Sequence, residues 1–243
     1  GLDEFRVCAA EWFRDRFGVS LDPGSQVLPV IGSKEGIAHL AFALLDSGSV
    51  ALVPEPSYPV YGIGALLAGA EVHYLPLKRE AGFLPDLKGI PEEVLSRARV
   101  LWLNYPNNPT GAVAERGFFE DAVGFAAEHG LVLAHDNAYS EITYDGFSAP
   151  SVLQADPGLD VSIEFHSLSK TYNMTGWRIG FACGNPRVIE ALGTVKTNID
   201  SGVFNPIQLA AVAAMRSQGK TVSYMREIYR SRRDLLIEGL SAL

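Results

Sequence analysis

A reactive amine, a guanidinium and hydroxyl groups lie within one short loop of the sequence. Lys170 follows an apolar run, 161–165, that is typical of a β-strand, and Ser167 stands three residues before the lysine. Arg178 comes eight residues after the lysine, just before a second apolar run at 179–183. A lysine amine can form an imine with an aldehyde, and a guanidinium binds a phosphate through two parallel hydrogen bonds. The loop therefore favours a phosphate-bearing aldehyde as its ligand, and pyridoxal phosphate is such a molecule.

Two motifs of this loop resemble the cofactor-lysine segment of the class I and II aminotransferases, which have the aspartate aminotransferase fold. They are Ser-x-Ser-Lys at 167–170 and Gly-Trp-Arg-Ile-Gly at 176–180. A longer match, over 164–179 and again over 196–202, resembles the LL-diaminopimelate aminotransferases within that family. The resemblance implies that Lys170 anchors pyridoxal phosphate covalently and serves as general acid and base for the substrate's α-proton.

The overall composition limits the class of protein. The 243 residues are 47% hydrophobic and 20% charged, which suits one large α/β domain with a substantial core. The formal net charge of -8 argues against a broad surface for nucleic acid or for an anionic membrane, so any anion site must be local. The longest apolar stretches, such as 40–45, are far shorter than the roughly 20 residues of a membrane span. We therefore expect neither nucleic acid nor membrane as a partner.

The N-terminus and the cysteines bear on the compartment. The first residues combine Asp3, Glu4 and Arg6 with an amphipathic pattern, which is not the form of a signal peptide. Cys8 and Cys183 fall in a helix-like and a strand-like segment, and we expect buried free thiols rather than a disulfide. Both observations favour a reducing cytoplasm.

Short apolar runs alternate with helical patterns along the chain. Continuous apolar strands separated by helices indicate a mainly parallel sheet that is covered on both faces, which is a three-layer α/β/α architecture. Strands are predicted at 27–31, 50–53, 71–75, 100–104, 131–135, 161–165 and 179–183, and helices at 3–17, from the turn at 32–36 to 45, and at 61–68, 115–128, 188–195, 208–215 and 222–243.

The resemblance makes this α/β fold the large cofactor-binding domain of the aspartate aminotransferase fold. We expect residues 1–203 to form the pyridoxal-phosphate-binding domain, including an N-terminal helix. Residues 204–243 are then helices that lead toward a C-terminal small domain absent from this chain. In the family, the arginine that binds the substrate's α-carboxylate belongs to that second domain, and the sequence offers no candidate for it.

Polar residues follow several of the predicted strands directly. They are Ser33, the segment 104–111, the segment 136–139 and the segment 167–170. In parallel sheets ligands collect at the carboxyl ends of strands, so one edge of the sheet can gather all of them. The turn before residue 36 also opens a helix, whose free N–H groups bind anions, although Ser33 is equally compatible with a plain helix cap.

Asp136 stands at the end of the strand 131–135. A carboxylate there can face the pyridine nitrogen of the cofactor and keep it protonated, so that the ring remains an electron sink. A pairing of roughly 2–3 pK units is worth about 3–4 kcal/mol, more than a surface ion pair. The alternative is a helix cap before Ala138, and the resemblance favours the cofactor role.

The resemblance assigns the remaining cofactor contacts. Tyr139 and Asn108 match the two residues that donate to the cofactor's ring oxygen, and Tyr58 matches the aromatic residue that stacks on the ring. The phosphate contacts that it implies are the backbone cradle at Ser33 and Lys34 and the side chains of Ser167 and Arg178.

The resemblance implies transfer of an amino group from an amino acid to a 2-oxo acid. LL-diaminopimelate with 2-oxoglutarate, in lysine biosynthesis, is the leading pair, and an aspartate or alanine type stays open. Asn205-Pro206 departs from the pair expected in that subgroup. In the family, the loop after Lys196 reaches the cofactor of a partner subunit, so a homodimer is implied.

Other functions share parts of this pattern. Pyridoxal-phosphate-dependent carbon–sulfur lyases have the same motifs, and a non-catalytic effector domain of a transcription regulator has the same fold. The spacing of Ser167 and Lys170 also occurs in penicillin-binding hydrolases, but 220–222 does not supply their Lys-Thr-Gly strand. His135 has no Gly-x-Ser-x-Gly partner motif for a triad, and the other histidines have no metal-ligand spacing, so we expect no metal.

Overall fold

A seven-stranded sheet lies at the centre of the computed structural model, which describes residues 1–217 and 219–242. The strands are β1 (Val27–Val30), β2 (Val50–Glu55), β3 (Glu71–Pro76), β4 (Ala98–Leu103), β5 (Val132–Asp136), β6 (Ser162–Ser167) and β7 (Gly180–Gly184). They lie side by side in the order β1-β7-β6-β5-β4-β2-β3. Five neighbouring strands, β6, β5, β4, β2 and β3, run parallel to one another, whereas β7 is antiparallel to both of its neighbours, β1 and β6. The prediction of a mainly parallel sheet is confirmed.

Helices connect the strands and cover the sheet. They are α1 (Asp3–Phe17), α2 (Ser33–Leu44), α3 (Val60–Leu67), α4 (Glu92–Leu95), α5 (Arg116–His129), α6 (Leu168–Thr171), α7 (Pro186–Ile199), α8 (Asn205–Met215) and α9 (Lys220–Ser241), with 3-10 turns at Arg79–Ala81, Val152–Gln154 and Thr175–Trp177. The sequence predicts a last helix as far as Leu243, which lies outside the described residues. No helix in the described part of the chain is both long and apolar enough to cross a membrane.

The pleat of the strands divides the core into two layers. Along β4, Leu101 and Leu103 pack on one face with residues of α1, α5 and α8. Val100 and Trp102 point to the other face and pack with residues of α2, α3 and α7. Because both faces are apolar and covered, the strands read as continuous hydrophobic runs. The three-layer α/β/α architecture is therefore observed.

The direction of β7 decides which residues reach the site. The connection from β6 to β7 contains only the four-residue α6 and a 3-10 turn, so it has no helix long enough to run back along the sheet, which is the usual crossover between parallel strands. The strand therefore returns antiparallel, and it begins at the edge where β6 ends. Arg178, two residues before β7, thus lies at the same edge as Ser167. Since β1 is antiparallel to β7, it runs in the direction of β6 and also ends at this edge.

A few local features complete the comparison with the sequence. Cys8 and Cys183 are both buried and free, as predicted. The loop expected between the apolar runs 161–165 and 179–183 contains α6, so Lys170 stands on a short helix. Helix α8 packs near the N-terminus, where the backbone N–H of Leu2 donates to Gln208 Oε1 at 2.7 Å. The division of the chain between residues 203 and 204 stays a prediction.

Candidate active site

One cavity of about 310 Å³ opens at the carboxyl edge of the sheet, among the segments that follow β1, β2, β4, β5 and β6. The structure brings all nine sequence-predicted site residues to its wall, together with Ala138, Ser169 and Thr175. The nine are Ser33, Lys34, Tyr58, Asn108, Asp136, Tyr139, Ser167, Lys170 and Arg178. They come from six separate segments of the chain, and the fold places them around one volume. Their individual roles stay predictions.

A glycine turn lets the N-terminus of α2 approach the guanidinium of Arg178. Gly32, the residue before α2, has a φ of 73°, a conformation that favours glycine. A Cβ at Gly32 would also collide with the Arg178 guanidinium, so only glycine leaves room for this approach. The free N–H groups at the start of α2 and the positive charge of Arg178 therefore converge on one point, which suits an anion.

The loop that carries Lys170 is held by its own hydroxyl groups. The side chain of Ser167 caps α6 by accepting a hydrogen bond from the backbone N–H of Ser169 at 3.3 Å. Arg178 Nη1 donates to Ser169 Oγ at 3.3 Å and to the carbonyl of Thr175 at 3.0 Å. Lys170 lies between these groups on α6 and is half-buried. The amine is thus presented to the cavity beside the anion-binding end.

The cavity wall also contains a buried carboxylate. Asp136 is 4% exposed, and its Oδ2 accepts a hydrogen bond from the hydroxyl of Tyr61 at 2.8 Å. Its other oxygen, Oδ1, has no hydrogen-bond partner among residues 1–217 and 219–242. Burial raises the pKa of this carboxyl from 3.8 to about 6. A buried carboxylate oxygen without a partner is costly, so this atom is suited to receive a cationic or hydrogen-donating group of a ligand.

Tyr61 is a contributor that the sequence did not reveal. Its ring stacks on Trp102 at 5.0 Å between centroids, which directs the hydroxyl at Asp136. Burial, and then the neighbouring charge of Asp136, raises the pKa of Tyr61 well above its ordinary value, so the hydroxyl stays a donor. Asn104 adds a second constraint, because its side-chain amide donates to the backbone carbonyl of Asp136 at 2.7 Å. The sequence offered no signal for the tyrosine, which lies 75 residues from its partner.

The side chains of Asn108, Tyr139 and Tyr58 also line the cavity. The backbone N–H of Asn108 donates to Asn104 Oδ1 at 2.8 Å, which fixes the loop after β4. Burial, and then the charge of Asp136, raises the pKa of Tyr139, and the nearby Asn108 side chain opposes this rise. The ring of Tyr58 lies 5.6 Å from the Lys34 ammonium. The cavity wall therefore offers neutral donors and an aromatic face in addition to its charged groups.

The charges define what the cavity can bind. Three cations, Lys34, Lys170 and Arg178, line it together with a single carboxylate, Asp136, in a chain whose net charge is -8. This local reversal of charge favours a ligand with an anionic group at one end and a basic nitrogen at the other. Pyridoxal phosphate has both groups, and its aldehyde can react with the amine of Lys170. The residues present fit this cofactor.

The fold is that of a known class of protein. The family of class I and II aminotransferases matches residues 1–243, and the chain belongs to this family. Several solved structural neighbours are aminotransferases as well, so the architecture is the aspartate aminotransferase fold. A probable N-succinyldiaminopimelate aminotransferase from Thermus thermophilus is 41% identical with a TM-score of 0.93, over 99% of this chain and 64% of that one. The BacF structure from Bacillus subtilis is 38% identical with a TM-score of 0.93, over 96% of this chain and 59% of that one.

Within the family, similarity to one group of enzymes is high. The chain is 56% identical to the LL-diaminopimelate aminotransferase of Dehalococcoides mccartyi, over 99% of this chain and 62% of the relative. It is 52% identical to the LL-diaminopimelate aminotransferase of Moorella thermoacetica, over 100% of this chain and 62% of the relative. The chain therefore spans about 62% of the length of these curated relatives.

Proposed function

We propose that the chain is the cofactor-binding part of a pyridoxal-phosphate-dependent aminotransferase, which passes an amino group from an amino acid to a 2-oxo acid. The observation that carries the proposal is the cavity, whose wall combines a lysine amine, two further cations and a buried carboxylate with one oxygen that has no partner among the described residues. Membership of the class I and II aminotransferases supports the same reaction. Because the chain spans about 62% of the length of the curated relatives, the activity of the whole protein is part of this proposal.

Each cavity residue then has a task. Pyridoxal phosphate, when bound, supplies an electron sink that makes the α-proton of an amino acid acidic. Lys170 would hold the cofactor covalently through its amine, and the same amine, when free, can remove the α-proton and return it. Asp136 would keep the ring nitrogen protonated through Oδ1, while Tyr61 holds that carboxylate in place through Oδ2.

The remaining residues bind and orient the cofactor. Tyr139 and Asn108 would donate to its ring oxygen, and Tyr58 would cover one face of the ring. The backbone at Ser33 and Lys34, at the start of α2, would hold the phosphate together with the side chains of Ser167 and Arg178. A guanidinium and a helix N-terminus together offset most of the charge of a phosphate, which is about -1.5 to -2 near pH 7.

The relatives point to the substrate. Two curated relatives above half identity are LL-diaminopimelate aminotransferases, and we propose LL-diaminopimelate with 2-oxoglutarate as the substrate pair, in lysine biosynthesis. A structural neighbour is a probable N-succinyldiaminopimelate aminotransferase, and its named substrate is also a derivative of diaminopimelate. A long amino acid with a second charged end is therefore the substrate class to test first.

A second copy of the chain is the proposed partner. Helices α2 and α3 pack against each other and expose large apolar side chains to solvent, namely Phe42 at 44%, Ile63 at 54%, Leu66 at 60% and Leu67 at 69%. Exposed apolar surface of this kind marks interaction sites, and a homodimer is the arrangement that the family resemblance implies. The two buried free thiols support a reducing compartment, and we propose the cytoplasm.

The first experiment tests the cofactor. The protein is mixed with pyridoxal phosphate, its absorbance spectrum is recorded before and after borohydride, and the labelled peptide is identified by mass spectrometry. We expect a visible band that borohydride converts to a permanent adduct at Lys170. Lys170→Ala is expected to abolish the adduct, whereas Lys88→Ala, which removes an exposed lysine, keeps it. An adduct distributed over surface lysines would sink the proposal.

The second experiment tests the reaction. The longest natural form of the protein that contains the chain is incubated with LL-diaminopimelate and 2-oxoglutarate, and glutamate is measured. Aspartate and alanine are the matched alternative donors. Release of ammonia and a thiol from a sulfur amino acid, without glutamate, would indicate a carbon–sulfur lyase instead. Absence of glutamate with every donor would contradict the aminotransferase proposal.

A further inference from the structure

A buried glutamate lies behind the cavity, on the opposite side of the sheet. Glu164 is the third residue of β6 and is 0% exposed, and it does not line the cavity. Burial by itself would raise the pKa of Glu164, but hydrogen bonds from two imidazoles outweigh it and hold the pKa well below its ordinary range. Its carboxylate therefore carries a charge in the interior.

Five donors surround this carboxylate. Oε1 accepts hydrogen bonds from Asn137 Nδ2 at 3.2 Å and from His166 Nε2 at 2.6 Å. Oε2 accepts from His135 Nδ1 at 2.9 Å, from Ser151 Oγ at 3.0 Å and from the backbone N–H of Val152 at 2.8 Å. A buried charge is tolerated only when hydrogen-bond donors satisfy it, and here both carboxylate oxygens of Glu164 are satisfied by donors in fixed positions.

The sequence positions of these donors link Glu164 to the site. His135 and Asn137 are the residues directly before and directly after Asp136. His166 directly precedes Ser167, which caps the helix of Lys170. Successive side chains of a strand point to opposite faces of the sheet. Because Glu164 holds His135 and Asn137 on the face away from the cavity, the side chain of Asp136 between them is directed to the cavity face. The carboxylate of Glu164 thus fixes the ends of two strands, β5 and β6, at the cavity.

We propose that Glu164 is a positioning residue, which holds the carboxylate of Asp136 in register with the ring nitrogen of the cofactor by binding both of its chain neighbours. This inference rests on the proposed function, because it assumes that Asp136 faces that nitrogen. The role is distinct from general stability, since it acts at one named atom of the ligand.

Replacement by glutamine disturbs only one half of the arrangement. The backbone N–H of Val152 can only donate, so the amide oxygen of Glu164→Gln must take the Oε2 place beside it. The amide nitrogen then takes the Oε1 place and faces the side-chain nitrogens of Asn137 and His166. The Asn137 amide cannot simply reverse, because it also donates to the carbonyl of Pro150 at 3.3 Å. Glu164→Gln therefore releases the residue that follows Asp136.

Two variants and a matched control separate positioning from stability. Asn137→Ala removes the same link and leaves the other four donors to Glu164 in place, so it serves where Glu164→Gln does not fold. Glu141→Gln is the control, because Glu141 is also a buried carboxylate but pairs with Arg16 at 2.7 Å. Each protein is prepared in the longest natural form that contains the chain, first without cofactor.

The measurements are the dissociation constant of pyridoxal phosphate and the nitrogen NMR signal of cofactor labelled with 15N in the ring. We expect both variants to bind the cofactor about tenfold to a hundredfold more weakly, as loss of outer hydrogen-bond partners does in metal sites. Their ring-nitrogen signal moves toward the unprotonated form, and Glu141→Gln stays within about twofold of the parent protein in affinity.

The outcomes are distinguishable. Loss of thermal stability in the variants with an unchanged ring-nitrogen signal and an unchanged dissociation constant would show that Glu164 is only structural, and would overturn the inference. A parent protein that binds no pyridoxal phosphate at Lys170 would overturn the proposed function and this inference with it. A shifted signal in both variants, with a normal control, supports the positioning role.

Discussion

Replacing Asp136 by asparagine is expected to stabilise the cofactor-free protein near neutral pH. The carboxylate is 4% exposed and burial raises its pKa from 3.8 to about 6. Because the folded protein binds this proton more tightly than the unfolded chain, the group contributes fully below pH 3.8, and stability falls as the pH rises through about 6. Since each pKa unit is worth about 1.36 kcal/mol, the loss amounts to about 3 kcal/mol.

Asparagine has the same shape without the charge. Its amide oxygen can keep the 2.8 Å hydrogen bond from Tyr61, so the substitution removes the buried charge and little else. We expect Asp136→Asn to exceed the parent protein in free energy of unfolding by up to about 3 kcal/mol near pH 7, and to lose this advantage near pH 4. Urea unfolding of both proteins over this range gives the difference, in which the other titrating groups cancel.

The stability of Tyr61→Phe and the effect of pyridoxal phosphate on stability test the same buried charge. Tyr61→Phe removes the hydrogen bond that lowers the pKa of Asp136, so the fall in stability is expected to extend to higher pH than in the parent protein. Saturating pyridoxal phosphate is expected to reverse the order, because it stabilises the parent protein more than Asp136→Asn. A stability difference between Asp136→Asn and the parent that does not change with pH would refute the argument.

Two other substitutions test the anion-binding end and its support. Gly32→Ala strains a positive φ and displaces the guanidinium of Arg178, so the dissociation constant of pyridoxal phosphate is expected to rise about tenfold, and an unchanged constant would contradict the cradle. Lys196 lies 3.2 Å from Glu35 and 2.8 Å from Asp200, and His39 lies 2.6 Å from Glu35. Because burial lowers the pKa of His39, Lys196→Met leaves these carboxylates without a cation at about pH 8. We expect a loss of about 3 kcal/mol in urea unfolding at that pH, and the loss shrinks toward pH 5 because burial raises the pKa of Glu35 to about 7 and this carboxylate takes up a proton. A loss independent of pH would argue against this reasoning.

The parts of the site that follow strands could be predicted from the sequence. Asp136 and Ser167 each end an apolar run, and parallel strands end at one edge, so their proximity follows from periodicity alone. Lys170 and Arg178 lie in a loop whose motifs resemble a known family. The sequence therefore predicted which residues meet, because the rule that brings them together is local to each strand.

The supporting contacts could not be predicted, because they depend on strand order and on side-chain direction. Tyr61 reaches Asp136 only because β5, β4 and β2 are neighbours in the sheet, and the sequence does not state this order. Glu164 interrupts an apolar strand, and its five donors come from three places, 135–137, 151–152 and His166 of its own strand. Helix α6 has four residues, far below the length at which local propensity forms a helix, and depends on its cap at Ser167.

The buried charge of Asp136 connects stability with binding. Without a ligand, burial of this carboxylate costs the protein about 3 kcal/mol near neutral pH, because it raises the pKa of Asp136 from 3.8 to about 6. A ligand that places a protonated nitrogen at Oδ1 offsets this cost, and about 3 kcal/mol corresponds to roughly a hundredfold in affinity. Tyr61 donates to Oδ2, and Glu164 binds the residues on either side of Asp136. We therefore expect these two residues to decide how much of that free energy a cofactor recovers.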